Sequence, residues 1–222
     1  MSSEPATKPS RVYGAVIVLT CICLCSGLGL SVMHARLKDA IDEKKIEAFN
    51  ASLAAVLGEQ ETYPVLDDKA SDGERVFFVS GEDGWLYAAE GAAEGYQSTI
   101  RVLVSVRAPA GERPPVGDNP EIHAVAVVES AETPGLGENI KLVEKEISVW
   151  AKLAGKPEGE ARPPKFLERF TGKHLADLGD EEENPLGNID ALTGATMTSK
   201  AAIRAVRDAI RNKIMRATNK PE

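Results

Sequence analysis

Two threonine hydroxyls stand among small residues near the C-terminus, in the run Asp190-Ala191-Leu192-Thr193-Gly194-Ala195-Thr196. A threonine hydroxyl is a poor nucleophile at neutral pH unless a base or a metal ion activates it. The run is equally compatible with a plain loop and helix cap. A phosphate-binding P-loop is excluded, because Ala195 follows Gly194 where that motif requires lysine. These residues therefore leave two interpretations open, a hydroxyl that becomes modified or a structural turn.

The residues that follow Thr196 must position it, and they predict an amphipathic helix. Four aliphatic residues recur at spacings of three and four: Ile203, Val206, Ile210 and Ile214. Thr198 or Ser199 is the predicted N-cap. A helix N-terminus favours an anion by about 0.3–1 kcal/mol at an exposed site. Lys200 and Arg204 would add positive potential there, so an anion attached to Thr196 would be stabilised.

A second segment, Glu132-Thr133-Pro134-Gly135-Leu136-Gly137, lies between a predicted strand at 124–128 and a predicted helix near 139–153. Proline fixes one φ angle, and the two glycines allow conformations closed to other residues. A Pro-Gly pair by itself is typical of a turn. Such a loop also lets the backbone approach a flat ligand closely.

Together these segments resemble the FMN-binding domain family, which includes the G subunit of Rnf electron-transport complexes and the C subunit of the Na⁺-translocating NADH:quinone oxidoreductase. The first segment matches the family's flavinylation motif, and the second matches its E-T-P-G-L-G flavin loop. The pair Gly95-Tyr96 and the aromatic stretch 164–170 also fit the family pattern, over roughly residues 84 to 210. Within that stretch, Phe166 and Phe170 are expected to be core residues.

The resemblance implies that FMN is covalently attached to Thr196 through a phosphoester. It also implies a separate Mg²⁺-dependent flavin transferase that uses FAD as donor, and small residues at Gly194 and Ala195 would let that enzyme approach. Thr193 belongs to the same motif, and Asp190 is expected to orient the hydroxyl or contact the transferase metal. Thr133 and Leu136 are the expected contacts of the flavin ring.

A membrane anchor is predicted at 14–33, where 20 residues carry no charge. That length crosses a hydrocarbon core of about 30 Å as a helix. A cleavable signal peptide is the rival interpretation, but the apolar run is long and no small-x-small site follows it. The flanking basic residues by themselves favour a cytoplasmic domain. The family resemblance instead implies a single pass through a bacterial inner membrane, with the domain on the periplasmic face.

Composition excludes several other functions. The formal net charge of −8 argues against a nucleic-acid partner. The three histidines are scattered without metal-ligand spacing, so no metal site is predicted. The apolar span contains all three cysteines, Cys21, Cys23 and Cys25. They are interpreted as small apolar residues of the helix or, alternatively, as ligands of an iron–sulfur centre shared with a neighbouring subunit. No residue is predicted to act as an acid–base catalyst, and no turnover is expected from the isolated chain.

The predicted organisation is a polar leader (1–13), a transmembrane helix (14–33), a helical stalk (34–58) that stops at Gly58, an FMN-binding domain (59–216) and a tail (217–222). Strands are predicted at 76–80, 85–89, 99–106 and 124–128. The predicted fold class is α+β, with one N-terminal transmembrane helix followed by an antiparallel sheet and packed helices.

The predicted function is that of a membrane-anchored flavoprotein subunit in an Rnf-type ion-translocating electron-transport complex. Its expected partners are the other membrane subunits of a redox-driven ion pump and, during maturation, the flavin transferase. One alternative is a component like the C subunit of the quinone oxidoreductase. Others are a flavin-bearing sensor and a non-redox structural or assembly protein with a pilin-like plan.

Overall fold

The structure is a computed structural model that describes residues 9–66, 71–81, 84–111, 114–134, 137–141, 164–180 and 182–219. The chain divides into two units, Met1–Glu47 and Ala48–Glu222.

Helix α1 runs from Pro9 to Leu57. It is long and apolar enough to cross a membrane, by length and composition, and the side chains of its most apolar window are exposed. The helix ends where Gly58 adopts a φ of +85° and its N–H donates to the Ala54 carbonyl at 2.9 Å. Glycine favours this left-handed end conformation, so the predicted stop at Gly58 is confirmed. The predicted boundaries between leader, membrane helix and stalk stay predictions.

Four strands form one antiparallel sheet in the order β1-β2-β3-β4. They are β1 (Val76–Gly81), β2 (Gly84–Glu94), β3 (Thr99–Ala108) and β4 (Glu121–Glu129). In the register, Tyr87 pairs with Val106, and Val104 pairs with Val125. The alternation of side chains between the two sheet faces explains why all four strands could be predicted, although each observed strand is longer than its prediction.

The C-terminal helix covers one sheet face. Helix α3 (Thr196–Asp208) continues through a π-helical segment, Ala209–Met215, into α4 (Arg216–Thr218). Its four predicted core residues are fully buried against β2 and β3. On the opposite face, Leu53, Val56 and Leu57 pack with residues of β1 to β3. Helices on both faces of an antiparallel sheet confirm the predicted α+β class.

Short helical turns complete the described part of the chain. Helix α2 (Lys165–Glu168) holds Phe166, whose ring meets that of Phe170 edge-on with centroids 5.5 Å apart. Both rings are buried, as predicted. Further 3₁₀ turns lie at Asp72–Glu74, Gly137–Ile140 and Leu175–Leu178. The helix predicted near 139–153 falls mostly on residues outside the described ranges.

Candidate functional site

The segment before helix α3 is a tight turn. The Ala195 N–H donates to the Leu192 carbonyl at 3.0 Å, and Gly194 has a φ of +75°. A positive φ at the third residue of a four-residue turn is the signature of a type II turn, where glycine is preferred. The glycine of the motif is therefore required by the turn that precedes Thr196.

Thr196 is the first residue of α3, and its side chain is exposed. Ala195 is the N-cap, and no side chain caps the helix. The prediction that Thr198 or Ser199 is the N-cap is therefore wrong. Both residues lie inside the first helical turn, where their buried hydroxyls bond to other groups. The helix begins earlier than predicted because the turn at Gly194 delivers the chain directly into it.

Ser199 fastens the turn to the helix. Its Oγ accepts the Leu192 N–H at 2.8 Å and donates to the Ala195 carbonyl at 3.0 Å. The Ser199 N–H also donates to the Ala195 carbonyl at 3.0 Å. The backbone on both sides of Thr196 is therefore held by one buried hydroxyl.

Thr198 links the helix to the second segment. Its Oγ1 donates to Oε2 of Glu132 at 2.7 Å, and both side chains are buried, with exposed fractions of 2% and 5%. The Glu132 carboxylate also accepts three backbone N–H groups, those of Tyr96 (3.3 Å), Gln97 (3.1 Å) and Ser98 (3.0 Å). One carboxylate thus joins the start of α3, the loop after β4 and the turn between β2 and β3.

These hydrogen bonds set the charge state of Glu132. Burial raises the pKa of a carboxyl group, but the bonds from the Thr198 hydroxyl and from the backbone N–H groups of Ser98, Gln97 and Tyr96 outweigh it. The net result is a pKa of Glu132 below its ordinary value. Glu132 is therefore an anion at neutral pH, with its charge balanced by hydrogen-bond donors.

Two glycines permit this close assembly. A Cβ atom at Gly137 would lie 2.7 Å from Oγ1 of Thr198 and 2.8 Å from Cβ of Glu132. A Cβ atom at Gly95 would lie 2.7 Å from the Ser98 carbonyl oxygen and would also strike the Glu132 carboxylate. Real Cβ contacts are not this short. Glycine at both positions is therefore a steric requirement of the Glu132 assembly.

The predicted site residues fall into three groups. The turn and helix start consist of Thr193, Gly194, Ala195 and Thr196. The Asp190 side chain is exposed, and the backbone carbonyl of Asp190 accepts a hydrogen bond from Nη1 of Arg169 at 2.6 Å. Thr133 is half-buried, and its Oγ1 donates to the Gln97 side chain at 3.1 Å. Leu136 lies outside the described residues. The structure brings the two predicted segments together through Thr198 and Glu132.

Sequence reasoning did not single out Glu132, Thr198 or Ser199 as site residues. A signal existed for Glu132, because it is an acidic residue between a strand and a Pro-Gly pair. A carboxylate in such a place must find hydrogen-bond donors or remain outside the core. Its donors come from distant parts of the sequence, however, so their identity could not be read from the pattern.

The start of α3 has the features of a site that favours an anion. Its first N–H groups lack a side-chain cap, and free N–H groups at a helix start attract anions. Lys200 lies four residues after Thr196, on the same helix face, and has no partner among the residues that the structure describes. Arg204 donates to the Glu94 carbonyl at 3.0 Å. In the same described part, no group of three or more His, Cys, Asp or Glu residues is placed to hold a metal ion.

Comparison with known proteins assigns the chain to a family. The model of the FMN-binding domain family matches residues 95–211, which is more than half of the chain and contains both segments. The chain belongs to the FMN-binding domain family.

Relatives of this FMN-binding domain protein include the G subunit of an ion-translocating oxidoreductase complex from Pseudomonas aeruginosa. The two are 29% identical, over 94% of this chain and 91% of the relative. The G subunit of a proton-translocating ferredoxin:NAD(+) oxidoreductase complex from Clostridium ljungdahlii is 23% identical, over 90% and 91%. The crystal structure of Shewanella oneidensis NqrC covers 74% of this chain and 73% of its own, at 20% identity and a TM-score of 0.42.

The residues at the helix start fit the phosphate end of FMN. An uncapped helix N-terminus, an exposed hydroxyl and a lysine one turn away make a suitable anion site. The small residues of the turn leave the approach to Thr196 open. The described residues at this helix start would therefore suit a phosphate group.

Proposed function

We propose that this protein is a membrane-anchored electron-carrying subunit of an ion-translocating oxidoreductase complex, with FMN attached to Thr196 through a phosphoester. The family match supports FMN as the cofactor. Relatives named as G subunits of such complexes support the complex and its other membrane subunits as partners. The long apolar helix supports the membrane anchor.

The observation that favours Thr196 most is its exposure at an uncapped helix start while its neighbours are fixed. Thr198 and Ser199, the second and third residues after it, have buried hydroxyls with hydrogen-bond partners. The Thr196 hydroxyl has no such partner among the described residues. Thr196 therefore combines an available hydroxyl with a rigid backbone, which favours reaction at a defined position.

Attachment requires an enzyme. Among the described residues, no carboxylate or imidazole bonds to Oγ1 of Thr196, which supports a base supplied by a separate enzyme. In the proposed reaction, Oγ1 of Thr196 forms a bond to the FMN phosphorus of FAD while the pyrophosphate bond breaks. AMP leaves, and the hydroxyl proton passes to a base of the flavin transferase. The helix start and Lys200 would then stabilise the phosphodiester charge.

Once attached, FMN supplies reversible electron transfer, and the protein supplies its position and electrostatic environment. The covalent bond keeps the cofactor on a domain that lies outside the cytoplasm. We propose the periplasmic face of a bacterial inner membrane for this domain, by analogy with the family. A single pass through the membrane corresponds to one candidate spanning helix in the described part of the chain.

Intact mass spectrometry of the full-length protein, co-produced with a flavin transferase and purified in detergent, tests this proposal. We expect the mass of one FMN less one water on the peptide that contains Thr196, together with flavin fluorescence that survives denaturation. Thr196→Ala should remove both signals without changing the far-ultraviolet circular dichroism.

The matched control is Thr171→Ala, which removes an exposed threonine outside both segments. It should retain full modification. An unmodified wild-type protein, in cells where the transferase modifies another substrate, would contradict the proposal and favour a structural role. Retention of covalent flavin by Thr196→Ala would show that the attachment residue is a different one. Co-purification with other redox subunits distinguishes the electron carrier from a flavin-bearing sensor.

A further inference from the structure

An apolar stripe continues along helix α1 beyond its uncharged span. Leu37 and Ile41 have 41% and 42% of their surfaces exposed, in a stretch where most residues carry a charge. They lie four residues apart, so their side chains share one helix face. The same face carries Leu30, seven residues before Leu37, and a groove runs along it from Gly27 to Ile41. We call this face the Leu30–Ile41 stripe.

Charges are distributed unevenly around this part of the helix. At 3.6 residues per turn, Lys38 and Lys45 lie about 60–80° from the centre of the stripe, both on the same side. The acidic residues between them lie about 120–180° from that centre and are Asp39, Asp42 and Glu43. One side of the stripe is therefore basic, whereas these carboxylates face away from it.

The lysines beside the stripe differ in their partners. Lys44, on the other side of the stripe, bonds to Glu47 of the same helix. Lys38 and Lys45 have no ion-pair partner among the residues that the structure describes. They are seven residues apart, which corresponds to about 10.5 Å along the helix axis. Two available positive charges thus lie two turns apart along one side of an apolar surface.

This arrangement does not suit a second copy of the chain. In a parallel pair of helices, a residue on one side of the contact stripe faces the residue five positions earlier on the other helix. Lys38 would therefore face Met33 of the second copy. Lys45 would face Ala40 of the second copy, so neither lysine would meet a negative charge.

A phospholipid surface is also disfavoured. Helix α1 is continuous from Pro9 to Leu57, and no proline or glycine occurs between residues 30 and 47. Sharp bends in helices almost always need such a residue or an inserted group. A straight helix that enters the membrane cannot also lie along its surface, so lipid headgroups would not cover Leu37 and Ile41.

We propose that the Leu30–Ile41 stripe is the docking surface for a helix of another membrane subunit, one whose own apolar stripe is flanked by two carboxylates two turns apart. This inference rests on the proposed function, which supplies the neighbouring subunits. Docking removes Leu37 and Ile41 from water and pairs Lys38 and Lys45 with the carboxylates. Within the span, Gly27 lets the backbone of the docked helix approach closely.

Site-specific photocrosslinking in native membranes tests the proposal. Photoreactive benzoylphenylalanine replaces Ile41 in the full-length chain, and mass spectrometry maps the attached peptide. We expect a segment of another membrane subunit that carries an apolar stripe and two acidic residues seven positions apart. Lys38→Glu together with Lys45→Glu should lower the cross-linking yield at least tenfold. The pair Lys38→Arg and Lys45→Arg keeps the charge and should leave the yield unchanged.

The matched control places the same probe at Ile46, an exposed isoleucine about 160° around the helix from the stripe. It should give no cross-link to that segment. Equal yields at the two positions would overturn the proposal. A cross-link from position 41 to a second copy, or to phospholipid alone, would also overturn it, as would an unchanged yield in the charge-reversed variant.

Intact mass of the same preparations separates this inference from the proposed function. Covalent flavin on Thr196 without the expected cross-link would overturn the inference alone. The expected cross-link on a chain with unmodified Thr196 would support the docking surface and contradict the proposed attachment. The charge-reversed variant should carry as much covalent flavin as the wild type, which would show that its flavin domain is folded.

Discussion

Replacement of Glu132 by glutamine should destabilise the domain by about 2–4 kcal/mol. The amide oxygen can take the place of Oε1, which accepts the Gln97 and Ser98 N–H groups. The amide nitrogen then faces the Tyr96 N–H, which loses its acceptor. The Tyr96 N–H is partly buried, and a fully buried donor left without an acceptor costs about 1–3 kcal/mol. The remaining bonds also lose the extra strength that the carboxylate charge gives them.

Thermal unfolding of the full-length protein in detergent, followed by circular dichroism, measures this effect. For a domain of this size, about 1 kcal/mol corresponds to roughly 2–4 °C in Tm. We therefore expect Glu132→Gln to lower Tm by about 4–16 °C. The matched control is Glu94→Gln, at an exposed carboxylate whose one acceptor bond among the described residues is with the Thr99 hydroxyl, at 3.0 Å. Exposed substitutions of this kind change stability by about 0.5 kcal/mol or less.

The reasoning would be refuted if the two glutamine variants had the same Tm. Such a result would mean that water replaces the lost hydrogen bonds of Glu132 without cost. It would also remove Glu132 as the group that fixes the positions of Tyr96 and Thr198.

Two further predictions concern pH and close packing. Because the pKa of Glu132 lies below its ordinary value of 4.5, its stabilising contribution is fully present above that pH and is lost as the pH falls through the folded-state pKa. The Tm difference between wild type and Glu132→Gln should therefore shrink in acid. A constant difference would show that the charge is unimportant. Gly91→Ala should cost about 3 kcal/mol or more, since its Cβ would overlap the Ala205 carbonyl of helix α3. Urea unfolding measures this cost, and Gly117→Ala, which has open space around its Cβ position, is the control. Equal urea midpoints for the two variants would contradict the close packing of β2 on α3.

Local patterns determined much of this protein. The apolar run predicted the long N-terminal helix, and Gly58 predicted its end, because both depend on nearby residues alone. The four strands and the buried face of the last helix followed from periodicities of two and 3.6 residues. The family motif that ends at Thr196 was recognisable from the order of its residues, without knowledge of their positions in space.

Tertiary structure decided how the two motifs form one site. The wrong N-cap prediction shows why: Thr198 and Ser199 have the right chemistry for capping, but the fold places them one turn too late and gives their hydroxyls other partners. The assembly around Glu132 joins residues 34 to 66 positions apart in sequence. Sequence patterns report local periodicity and turn chemistry, whereas the pairing of a buried carboxylate with distant donors depends on how the sheet and helix pack. That packing also joins the Tyr96 backbone to Thr198 in helix α3 through one carboxylate, which no local pattern could indicate.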